Sequence, residues 1–65
     1  MKPGKYTHER FMDVTFLAIS THEKDGAIHA FGRWFLKNGM PTDQVQTIVI
    51  KKTDLPKWTL IEVLK

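Results

Sequence analysis

The stretch FMDVTFLAISTHEKDGAIHAFGRWFLK, residues 11–37, decides the fold. Two apolar-rich runs flank Asp25-Gly26. Asp-Gly between β-rich runs is the strongest short-range hairpin signal, because a two-residue type I′ turn needs positive φ at both central residues and these two tolerate it best. With Asp25 and Gly26 as the loop, Lys24 faces Ala27, His22 faces His29, Ser20 faces Phe31, Ala18 faces Arg33 and Phe16 faces Phe35. Strict alternation then puts Val14, Phe16, Ala18, Phe31 and Phe35 on one face, and Leu17, Ile19, Ile28, Ala30, Trp34 and Leu36 on the other. A hairpin apolar on both sides must coil around a small core or cover its second face with another chain. Gly32, inside the second run, marks a bend, a bulge or a close backbone approach.

Upstream of the hairpin, Met1 to Gly4 reads as a loose lead-in, and Lys5 to His8 as a short edge strand anchored by Tyr6. The long strands run from Phe11 to His22 and from Ala27 to Lys37. Asn38-Gly39 stops the second, and Met40-Pro41-Thr42-Asp43 lengthens the loop that follows. Val45 to Lys51 is a third strand, because the β-branched run Thr47-Ile48-Val49-Ile50 is stiff at χ1 and favours extended backbone over a helix capped at Thr42 or Asp43. Thr53 to Pro56 is a turn or short helical bend. Residues 54–64 fit either a closing strand or one short C-terminal helix with Asp54 as N-cap, and the β-branched Thr59, Ile61 and Val63 favour the strand. The sum is a single all-β domain over 1–65, a small, strongly bent antiparallel barrel of the SH3-like kind with four to five strands.

Sixty-five residues bury only about 60% of the surface their unfolded chain exposes, so the core must be economical. There is no cysteine, which suits a reducing cytoplasm, and no apolar run long enough for a membrane span or signal peptide. Net charge is +3, and its placement matters more than its size. Residues 1–32 balance four basic against four acidic side chains. Arg33, Lys37, Lys51, Lys52, Lys57 and Lys65 then outnumber Asp43, Asp54 and Glu62, a mild pull toward anionic partners.

Catalysis and metal binding find little support. Thr7-His8-Glu9-Arg10 recurs as Thr21-His22-Glu23-Lys24, but an extended chain would hold the two His-Glu pairs roughly 45 Å apart. His22 and His29 face each other across the hairpin, yet two imidazoles without a third ligand make a weak site at a solvent-facing tip. Ser20 and Thr21 beside His22 lack an oxyanion hole and an orienting third group, the carboxylates are scattered among lysines, and the glycines are isolated. The expectation is therefore no enzyme, no cofactor, no metal and no small-molecule substrate.

Binding chemistry is better represented. Arg33-Trp34-Phe35 places a cation between rings, and Lys57-Trp58 repeats the pairing of base and ring. Either tryptophan also serves as the largest piece of a small core. Met40 adds an apolar loop residue, and exposed apolar surface in a soluble protein marks contact sites. The expected function is a small protein-interaction module, an adaptor or inhibitor using Arg33, Trp34, Met40, Lys51, Lys52, Lys57 and Trp58, with self-association on equal terms. The alternative is a nucleic-acid-binding barrel in which rings stack on bases while lysines follow phosphates.

Lys2-Pro3-Gly4-Lys5-Tyr6-Thr7-His8, with Leu17-Ala18-Ile19-Ser20-Thr21-His22, resembles the start of a small uncharacterised domain family of bacteria and phages that opens on Gly-Lys-Tyr-x-His. The resemblance covers about the first third of the chain. It implies a compact β-rich accessory domain, one that works in the host cytoplasm if phage-borne, and carries over no site residue.

Overall fold

The computed structural model describes Met1 to Leu64. Its elements are β1 (Gly4–His8), β2 (Phe11–Lys24), β3 (Ala27–Leu36), β4 (Pro41–Lys51), a 3-10 helix (Lys52–Lys57) and β5 (Trp58–Val63). All five strands belong to one antiparallel sheet, ordered β4-β3-β2-β1-β5. The hairpin forms as its turn chemistry demands, with Asp25 at φ 54° and Gly26 at φ 76°. Pro56 interrupts regular strand geometry before Trp58, so Lys52–Lys57 coils into the short 3-10 helix and the chain resumes as a strand, not as a C-terminal helix. No helix among the described residues is long and apolar enough to cross a membrane.

Three expectations change. The strand at Lys5–His8 is not an edge: β1 lies between β2 and β5, because the closing strand returns to pair with it from Gly4↔Val63 to His8↔Trp58. β4 begins at Pro41, four residues before Val45, since Pro41 already pairs with Phe35. The ladder register holds only from the turn to Ser20↔Phe31. There Ile19 is an extra residue, and Ala18 pairs with Gly32, Leu17 with Arg33, Phe16 with Trp34 and Thr15 with Phe35.

That bulge redistributes the faces. Ile19 and Ser20 are both exposed, while Phe16 and Ala18 join Ile28, Ala30 and Trp34 on the core face. Phe31, expected beside Phe16, is 43% exposed on the outer face. The close approach expected of Gly32 occurs here: a side chain at that position would overlap the Leu17 carbonyl oxygen.

The core is correspondingly small. Tyr6, Phe16, Ala18 and Ala30 form its buried centre, with Met1, Trp34, Ile48 and Trp58 packed around them. The Tyr6 hydroxyl donates to the Lys2 carbonyl, and the Thr21 hydroxyl donates to the Met1 carbonyl at 2.7 Å, so the first residues close one end of the core. The molecule measures 34 × 21 × 20 Å, far deeper than a flat sheet, so the sheet is curled over this core. It is not closed: β4 and β5 remain its two edges and do not pair with each other.

Candidate binding cleft

The gap between the two sheet edges holds a cleft of about 360 Å³. β4 contributes Ile48 to Ile50 on one side; Asp54, Lys57 and Trp58 stand on the other, and Trp34 lies between. Arg10 comes from the two-residue turn that joins β1 to β2, and His8 and Phe11 flank it as the last residue of β1 and the first of β2. That turn is fixed by two hydrogen bonds. The Arg10 amide donates to His8 Nδ1 at 3.0 Å, and the Glu9 amide donates to the Lys57 carbonyl at 3.1 Å, tying it to the 3-10 segment.

The rings form one continuous system. His8 lies 4.7 Å from Trp58, edge to face, and 4.9 Å from Phe11. Phe11 stands edge-on to Trp34 at 6.2 Å, Trp34 packs on the buried Phe16 at 4.9 Å, and Trp34 and Trp58 are 6.3 Å apart. These are the tilted and edge-to-face arrangements that ring quadrupoles favour. Phe16 is wholly buried, Trp34 and Trp58 are half-buried, and Phe11 is 49% exposed, so the stack climbs from the core to solvent.

Charge at the cleft is sparse. Lys57 Nζ is 3.6 Å from Asp54 Oδ1, a surface pair worth little by itself. Arg10 makes no ion pair among the described residues. The arrangement offers apolar faces, one unpaired guanidinium and one compensated lysine. It suits shape-based binding of an apolar group with an adjacent anion.

Of the residues singled out from the sequence, Trp34, Lys57 and Trp58 meet here. The others lie elsewhere. Arg33 is exposed on the outer face between Leu17 and Val45, Met40 is 58% exposed at the β3–β4 connection, and Lys51 ends β4 in solvent. Lys52 is paired with Glu23. His8, Arg10, Phe11 and Ile48 were not anticipated; the signal for the first three was the two-residue spacing between β1 and β2, which makes Glu9-Arg10 a tight turn carrying His8 and Phe11 as paired flanks.

Two other features are less developed. A depression of about 570 Å³ at the β1–β5 side is lined by Lys5, Leu17, Glu62, Val63 and Leu64, with Lys5 Nζ 4.0 Å from Glu62. His22 and His29 stack with centroids 5.1 Å apart and planes 11° from parallel at the hairpin. Among the described residues no group of three or more His, Cys, Asp or Glu side chains is placed to hold a metal ion. Comparison of the chain with protein-family models, with curated proteins and with solved structures finds no match.

Proposed function

We propose that the chain is a non-catalytic protein-binding module, an adaptor or inhibitor, that holds an extended apolar segment of its partner in the cleft between β4 and β5. The observation that carries this reading is the ring ladder from buried Phe16 through Trp34 and Trp58 to half-exposed Phe11. A chain with so little core gains most by burying its rings, and half-buried aromatics around a concavity are the usual anchors of an interface. Arg10 supplies orientation by meeting a carboxylate on the bound segment. The strand order, with a 3-10 turn leading the last strand back beside the first, favours an SH3-like barrel left open along one seam; the cleft is that seam. A chain without cysteine fits a reducing compartment, the cytoplasm of a host cell if the gene is phage-borne.

A second reading is kept by one observation: Arg10 and Lys57 flank the same rings, so a single-stranded nucleic acid could stack a base there. It ranks lower because Lys52 and Lys57 already face carboxylates, while Lys51 and Arg33 do not reach the cleft. Selection of peptides from a random displayed library, followed by tryptophan-fluorescence titration, tests both. Selected peptides should bind wild type, lose roughly tenfold or more on Phe11→Ala, and respond weakly to salt. A steep loss of oligothymidine binding with rising salt, and no peptide selected, would reverse the order.

A further inference from the structure

The open edge of β4 carries a pattern that matches its own reverse. β4 is eleven residues long, and its outer-face residues, Asp43, Val45, Thr47, Val49 and Lys51, are all exposed. From Gln44 to Ile50 it has no charge and no proline, so it lacks the devices that usually blunt an edge strand. Val45 and Val49 are 43% and 60% exposed. The other free edge, β5, is only six residues long and pairs irregularly with β1.

We propose that β4 pairs antiparallel with β4 of a second copy of this chain, with Thr47 opposite Thr47 on the two-fold axis. This register places Val45 against Val49 and Asp43 against Lys51, each pair occurring twice by symmetry. On the core side it sets Gln46 against Ile48 and Gln44 against Ile50. Moving the centre by one residue spoils the match: centring on Ile48 puts Lys51 against Val45, and centring on Gln46 puts Asp43 against Val49. Only the Thr47 register joins apolar to apolar and opposite charges to each other on the exposed face, the pairing that stabilises adjacent strands. Neither Asp43 nor Lys51 has an ion-pair partner within the chain among the described residues. The ladder to β3 is irregular next to Asp43, since three residues, Thr42 to Gln44, stand opposite Trp34 alone. This loosening gives the exposed Asp43 side chain room to reach Lys51 of the second copy. An isologous contact of this kind closes on itself and caps the edge instead of propagating.

Sedimentation of the purified chain from about 10 μM to about 1 mM, the span in which so small a contact dissociates, reads the equilibrium directly. A concentration-dependent dimer is expected. D43K and K51D should each raise the dissociation constant about tenfold, and the double variant should return it to within about threefold of wild type. The chain has no cysteine, so T47C introduces a single thiol; it should form a disulfide-linked dimer on mild oxidation, because facing Cα atoms in an antiparallel pair are about 4.5 to 5.5 Å apart. T59C, exposed on β5, should link far more slowly. Ile48, Val49 and Ile50 of this strand also line the cleft, so a bound peptide and the second copy compete for it. Phe11→Ala, which removes a ring outside β4, should weaken peptide binding and leave association unchanged, so the two failures are read separately. A monomer at every concentration, a charge swap that does not restore association, or equal linking of the two thiols overturns the proposal.

Discussion

Replacing Gly32 by alanine adds one carbon where the β3 backbone abuts that of β2. That carbon would overlap the Leu17 carbonyl oxygen and stand 2.8 Å from the carbonyl carbon and 3.1 Å from the Ala18 Cα. All three atoms are backbone, so no side chain can swing aside. Relief requires the strands to part by roughly 1 Å, which stretches the flanking ladder bonds past the distance at which an N–H···O contact counts as a hydrogen bond. Two such bonds lost beside a buried Ala18, with their groups left poorly satisfied, cost about 2 to 4 kcal/mol. A domain of this length has a total stability of only about 3 to 10 kcal/mol, and each kcal/mol is worth about 4 to 8 °C. Gly32→Ala should therefore lower Tm by at least about 8 °C in thermal unfolding followed by circular dichroism. The bulge at Ile19 should be lost with it, which moves the tryptophan emission because Trp34 no longer sits on Phe16. A Tm within about 3 °C of wild type would refute the claim that the two backbones are in contact at this point.

Phe16→Ala empties the centre of the core, where the ring is fully buried, and should cost about 3 to 5 kcal/mol by urea unfolding, against under about 1 kcal/mol for Phe11→Ala at the solvent end of the same stack. The Tyr6 phenol is pushed above the ordinary tyrosine value of about 10 by burial. The folded state thus holds this proton more tightly than the unfolded one. Its stabilising share is intact below about pH 10 and fades as pH rises through the raised value. Urea titrations between about pH 8 and pH 11 should show a decline that Tyr6→Phe reduces, and an identical decline in both proteins would remove Tyr6 as the cause.

The strands at Val45 to Lys51 and after Pro56 were legible in their β-branched runs, but within the hairpin the readable register ends at Ile19. From Asp25-Gly26 outward the pairing follows local rules, since positive φ at both loop residues sets the first rungs as far as Ser20↔Phe31. Beyond that rung alternation mispredicts the neighbours of Phe16, because a bulge answers to a contact between two strands and leaves only an indirect trace, the glycine at position 32. The same slip hid the cleft. Trp34 belongs to the core face only after it, and without it the approach of Trp34 to Trp58 at 6.3 Å has no local signature. The interior position of β1 was hidden for a related reason: strand pairing between residues nearly sixty positions apart is decided by topology, and the short sequence of β1 reads the same at an edge or inside.

Because β5 returns to β1, the two ends of the described chain meet: the Leu64 amide donates to the Pro3 carbonyl at 3.1 Å. Pro3 and Leu64 lie side by side, with only Met1 and Lys2 running on from there to Thr21. The domain could thus be spliced into a surface loop of a larger protein through one narrow neck. It could equally be rejoined end to end and reopened at the hairpin tip, giving a rearranged gene order with the same sheet.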